Sequence, residues 1–158
     1  MFIHDFVPVA RPVGDVVADF ARRVDPFLGT LVSAAWAADR EEWVAMGVHR
    51  DDITPPAVVA ARLGSPRVRA DAVVVPILWP GGSARCFPSL DADLELAAAG
   101  PMRTHLQLMG RYALPATVDP WSSEGSVASR VTVAGVRRLL ELLAARLEAG
   151  AGSGSSRR

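Results

Sequence analysis

The sequence predicts an α+β fold in which a curved antiparallel sheet of about seven strands wraps around one long C-terminal helix, with two short helices after the first strand. Three observations predict it. Residues 126–149, SVASRVTVAGVRRLLELLAARLEA, carry Val127, Val131, Thr132, Val136, Leu139, Leu140, Leu142, Leu143 and Leu147 on a helical arc wider than half the circumference. Arg130, Arg137, Glu141 and Glu148 share the narrow polar stripe that remains. Upstream, several segments alternate apolar and polar residues with period two, and the candidate covers for their dry face are that helix and two short ones.

In chain order, residues 2–9 form a strand with Phe2, His4, Phe6 and Pro8 on one face and Ile3, Asp5, Val7 and Val9 on the other, ended by Pro12. From Val13 the period changes: Val13, Val16, Val17, Phe20 and Val24 recur at helical steps opposite Asp15, Asp19, Arg22 and Arg23. Asp25 and Pro26 open a second helix whose flank of Phe27, Leu28, Leu31, Ser33, Ala34, Ala35 and Ala38 is mostly small. Residues 43–48 read as a strand, followed by a charged turn at 49–52 and the Pro55-Pro56 break.

The main sheet then begins. Residues 58–63 are a strand closed by Gly64-Ser65-Pro66, and 67–79 alternate at first before turning apolar on both faces around Pro76, the pattern of a bulge or an edge position. Residues 85–96 set Leu90, Ala92, Leu94 and Leu96 against Asp91, Asp93 and Glu95; a hairpin at 97–103 leads to 104–112, where Leu106, Leu108 and Tyr112 alternate with His105, Gln107, Met109 and Arg111. The stretch 114–125 is a loop, and Ser126 or the serines before it cap the long helix. Residues 1–149 make a single domain, and the tail 150–158, GAGSGSSRR, has too little apolar content to fold.

Composition excludes several function classes. The 158 residues carry 17 basic and 17 acidic side chains, so neither a broad nucleic-acid surface nor a polybasic membrane anchor is expected. All the basic residues are arginine, a mark of base-composition bias before functional selection. No window has the ~20 uncharged apolar residues of a membrane span. One cysteine, Cys86, and an N-terminus without a basic, then apolar, leader point to a reducing cytoplasm.

The order of elements, with FxHDFVxV at 2–9, LGxPRxRxDxVVVPxxW at 63–79, FPxLDADLEL at 87–96 and GxxxTxLxLxGRYxxP at 100–115, resembles the helix-grip fold of the SRPBCC superfamily. That superfamily includes START lipid-transfer, polyketide cyclase and birch-pollen-allergen families, and the likeness is to small actinobacterial members. The resemblance covers nearly the whole chain and weakens at 117–126. It implies an apolar cavity between the concave sheet and the terminal helix, used for lipids, steroids, hormones and polyketides.

On residue chemistry, no phosphate-binding glycine loop, HExxH motif or GxSxG elbow is present, and the three histidines stand in unrelated contexts. Neither a metal nor a cofactor is expected. Cys86 reads as a small buried hydrophobe, and His105 as a solvent-face residue opposite Asp93 or Glu95. Asp91, Asp93 and Glu95 read as a solvated face paired with Arg67, Arg69 or Arg111. The expected ligand is a small apolar molecule, lipid-like or polyketide-like, contacted by Trp36, Trp79, Leu94, Leu106, Leu108, Tyr112, Thr132, Leu139 and Leu143. Thr132 is the polar member of the helix arc and the first candidate for orienting it. Two alternatives stay open: a cyclase or aromatase in which Arg111, Tyr112 or His105 assists proton transfer, and a filled structural domain with residues 73–79 as the edge of a homodimer.

Overall fold

The computed structural model describes residues 1–82 and 86–149. The chain runs β1 (Phe2–Val9), α1 (Val13–Val24), a 3-10 turn (Asp25–Phe27), α2 (Leu28–Ala38), α3 (Arg40–Ala45), α4 (Arg50–Ile53), β2 (Arg62–Leu63), β3 (Arg67–Val68), β4 (Ala72–Trp79), β5 (Ser89–Ala98), β6 (Thr104–Ala113) and α5 (Ser123–Glu148). The strands form one antiparallel sheet in the order β1-β6-β5-β4-β2, with β3 also on β4. This is the predicted α+β arrangement, a sheet closed by a long C-terminal helix, with six strands among the described residues where about seven were expected. The tail 150–158, and residue 85 at the start of the expected 85–96 strand, lie outside the described residues.

Period-two patterning places the inner face. Ile3, Val7 and Val9 of β1, Leu106, Leu108 and Tyr112 of β6, Leu90, Leu94 and Leu96 of β5 and Val75, Ile77 and Trp79 of β4 are all buried. Ala92 and Gly110 stand opposite each other in this face. A Cβ on Gly110 would lie 2.3 Å from Ala92 Cα, so the strands approach each other there more closely than a side chain at 110 allows.

The wide arc of α5 is covered by several partners. Helix α2 packs on it at Gly135, where a Cβ would fall 2.5 Å from Trp36 Cε2, and β1 and α1 take the flanks. Small residues, Ala128, Gly135 and Ala144, are what let these neighbours in. The helix starts with Ser122 as N-cap, its Oγ accepting from Gly125 N at 3.0 Å. At the other end Arg11 Nη1 donates to Leu147 O at 2.6 Å and to Asp19 Oδ2 at 2.9 Å, fastening the α5 C-terminus to α1.

Several local expectations change. The 43–48 strand is helical: α3 runs to Ala45 and is stopped by Gly47 at φ 91°. Acidic residues in its first turn, Glu41 and Glu42, suit that start. The 58–63 strand is reduced to β2, because Val59 N donates to Gly29 O (3.2 Å) on α2 and not to a strand neighbour. Asp25 does not cap a helix, and α2 buries Leu28, Val32, Ala35 and Trp36, while Phe27 is exposed.

Strand β4 is not an edge. It pairs with β5 on one side and with β2 and β3 on the other. The irregularity lies in the outer strand: Leu63 pairs with Ile77 but Arg67 with Val74, so residues 64–66 hold one extra residue. Gly64 N donates to Pro76 O at 2.8 Å, so Pro76 faces this bulge, and with no N–H it returns no bond there. On the convex face Arg67 and Arg69 lie across β4 to reach Asp93 (2.6 Å) and Glu95 (3.8 Å) of β5, which explains why Val74 is buried on that side.

The true long edge is β1, and it is blocked. Arg137 of α5 donates to Phe6 O at 2.8 Å, Asp5 Oδ1 accepts from Phe6 N at 2.8 Å, and Pro8 has no N–H to offer. Arg137 also meets Asp5 at 3.0 Å, and that hydrogen bond holds its guanidinium above the ordinary value.

Candidate functional site at the end of the sheet

The nine residues expected to contact a ligand all fall in one core. Leu94 and Leu108 face each other across β5 and β6, with Leu106 and Tyr112 on the same face of β6. Thr132, Leu139 and Leu143 come from α5, Trp36 from α2 and Trp79 from the end of β4. Leu94, Leu106, Leu108, Thr132, Leu139 and Leu143 have 0% exposed surface, so a water-sized void does not touch them. Thr132 Oγ1 donates to Ala128 O at 2.8 Å, the back-bond of a helical threonine that already has its partner. A molecule between sheet and α5 would have to part them.

The tryptophans split. Trp36, 2% exposed, meets the edge of Trp79 at 5.7 Å and of Phe87 at 5.5 Å between centroids. The indole N–H of Trp79 donates to Pro88 O at 3.1 Å, whereas that of Trp36 has no partner. Trp121 is 95% exposed on the loop before α5.

Around this core open several hollows, and the one that reaches the predicted residues lies where β4 ends and β5 begins. It has a volume of about 460 Å³ and is lined by Met1, Arg62, Leu78, Trp79, Pro80, Ser89, Leu90, Asp91, Arg111, Tyr112 and Ala113. Trp79, Leu90 and Tyr112 are its buried floor; Leu78, Arg62, Asp91 and Arg111 are exposed walls. Strand pairing builds it: Arg111 stands opposite Asp91, Asp91 opposite Leu78, and Leu78 opposite Arg62. Met1 closes one side, its N donating to Tyr112 O at 2.7 Å while Tyr112 N donates to Met1 O at 2.9 Å. Of the nine expected residues, Trp79 and Tyr112 border this hollow, and sequence reasoning did not single out Leu90, Arg62 or Leu78. The row that Arg62 and Leu78 share depends on the bulge at 64–66, which alternation alone does not reveal.

A second hollow, about 300 Å³, lies beside the α5 N-terminus and is lined by His49, Asp52, Cys86, Ser123, Glu124 and Val127 among others. Cys86 is buried there, as its sequence context predicted. His105 is exposed and faces outward, but stands opposite Ala97 and Pro8, not an acid, with its ring 5.5 Å from Phe6. Arg111 also points away from the sheet–helix interior. Asp93 and Glu95 have their arginine partners, as expected, and Asp91 makes no ion pair. Among the described residues, no group of three or more His, Cys, Asp or Glu could hold a metal, and no helix is long and apolar enough to cross a membrane.

No family model and no curated protein matches the chain. Among solved structures, it is similar to a conserved protein from Geobacillus kaustophilus at 10% identity and a TM-score of 0.49, covering 92% of this chain and 96% of that one. A Thermus thermophilus protein is 10% identical with a TM-score of 0.44, over 96% and 100% of the two chains. The Zhui aromatase/cyclase from Streptomyces sp. R1128 is 17% identical with a TM-score of 0.31, over 96% and 98%. At TM-scores below 0.5 these likenesses say nothing about what the chain binds.

Proposed function

We propose that the protein binds a small, mainly apolar molecule, lipid-like or polyketide-like in its carbon skeleton, at the sheet-end hollow. The observation that carries this is the hollow itself: about 460 Å³ over a floor of Trp79, Leu90 and Tyr112, within the ~300–1,000 Å³ usual for small-molecule sites. Apolar contact gives the affinity. Covering about 300 Å² of apolar surface contributes roughly 7 kcal/mol, and association costs at least about 4 kcal/mol. The difference of about 3 kcal/mol corresponds to millimolar binding.

The interior formed by Leu94, Leu106, Leu108, Thr132, Leu139 and Leu143 belongs to the same reading only if α5 lifts from the sheet, and a ligand there would have to displace contacts with no exposed surface. Titration with a medium-chain alcohol, followed by tryptophan emission, separates the two places. A saturable change is expected in the native chain. It should disappear in Leu78→Arg, a half-exposed position whose change leaves the fold intact. A response that survives Leu78→Arg but is lost in Leu108→Trp would move the ligand to the interior, and the absence of any saturable response would refute binding.

A further inference from the structure

Apolar contact at the sheet-end hollow leaves binding weak, so its charged groups decide what it holds tightly. Among the described residues, the side chains of four arginines, Arg62, Arg103, Arg111 and Arg130, make no ion pair, hydrogen bond or ring contact. Two of the four, Arg62 and Arg111, line this one hollow. They occupy the two ends of one transverse row, Arg111–Asp91–Leu78–Arg62, which crosses three strand spacings. At the usual interstrand distance their Cα atoms stand about 14 Å apart, a span over which two extended guanidiniums can converge above Leu78. Their neighbours on the convex face, Arg67 and Arg69, are already neutralised by Asp93 and Glu95. Asp91 is the one carboxylate in the lining, against the two guanidiniums of Arg62 and Arg111.

We infer that this hollow takes an apolar molecule ending in a carboxylate, with the acid group between Arg62 and Arg111 and the carbon chain against Leu78, Pro80 and the Tyr112 floor. The inference rests on the reading of the hollow as a ligand site. A guanidinium matches a carboxylate with two parallel N–H donors. The hollow has two guanidiniums with no partner in the protein, so an acid placed there displaces no existing ion pair. Asp91 opposes it by like charge, and an incoming acid must approach from the Arg62 side or over Arg111.

The test compares decanoate with decanol on the full chain near neutral pH, by tryptophan emission or calorimetry. Decanoate is expected to bind at least tenfold tighter, with an advantage that shrinks when salt is raised from about 50 mM to about 500 mM. Arg62→Gln with Arg111→Gln should bring decanoate to the affinity that decanol shows in the same variant, while Asp91→Asn should widen the difference between acid and alcohol. Equal binding of acid and alcohol, or an acid preference that survives the double arginine variant, overturns the inference but keeps the site. Binding of neither molecule removes the site and the inference together. All three positions are exposed, so an unchanged melting temperature shows that the variants are folded.

Discussion

Replacing Gly135 by alanine should destabilise the protein, although glycine to alanine inside a helix is ordinarily favourable by about 1 kcal/mol. The reason is the α2–α5 contact. The new methyl carbon would sit 2.5, 2.6 and 2.8 Å from three carbons of the Trp36 indole, against the ~3.5–4.0 Å of ordinary carbon–carbon contact. Trp36 cannot yield easily, being 2% exposed and held edge-on by Trp79 and Phe87. Overpacking of a closed core costs about 1–3 kcal/mol, so after the propensity gain the net loss reaches about 2 kcal/mol. For a chain of this size that lowers the melting midpoint by about 4–8 °C. Urea unfolding followed by far-UV circular dichroism measures it, with Gly14→Ala on α1 as the control: nothing lies within 4 Å of that Cβ, so that variant should be neutral or stabilised. A Trp36→Leu change made together with Gly135→Ala should cost less than the two single changes added, because the indole that blocks the methyl is gone. If Gly135→Ala is as stable as the native chain, α5 and α2 are not in this close contact and the account of how the helix arc is covered fails.

Ser122→Ala removes the side chain that accepts from Gly125 N and should cost about 1 kcal/mol, seen in the unfolding midpoint and in faster amide exchange at the start of α5. Asp19 is held below its ordinary value of 3.8 chiefly by the hydrogen bond from Arg11, against the opposing effect of burial. A carboxyl lowered in the folded state contributes stability above its unfolded value and loses it as pH falls through the lowered one. Unfolding midpoints of the native chain and Asp19→Asn should therefore differ near neutral pH and converge in acid, below about pH 4; a gap independent of pH would show that Asp19 acts without its charge.

Long-range period was legible in the residues, and short-range termination was not. The alternation at Leu90, Ala92, Leu94 and Leu96 and at Leu106, Leu108 and Tyr112 placed β5, β6 and their inner face, because a strand buried on one side can satisfy that pattern in only one register. Trp43, Val44 and Met46 carry no such period. There the helix is decided by the acidic first turn of Glu41 and Glu42 and by Gly47, signals easily overridden by a run of β-formers. Val59 shows the converse, a residue with strand character that is drawn to Gly29 of α2 because no side chain stands there to keep the loop away.

The sequence by itself determined the class of fold, the identity of the long helix and the pairing of Arg67 and Arg69 with the acidic face of β5, since each follows from periodicity and from charge set on alternate positions. Tertiary structure decided what fills the wide arc of α5. Gly135 admits Trp36 against the helix backbone, and packed side chains with no exposed surface fill the space between the sheet and α5. It also decided where open volume remains. A one-residue bulge at 64–66 brings Arg62 into line with Leu78, Asp91 and Arg111, a juxtaposition of residues up to 49 positions apart that only strand register can create.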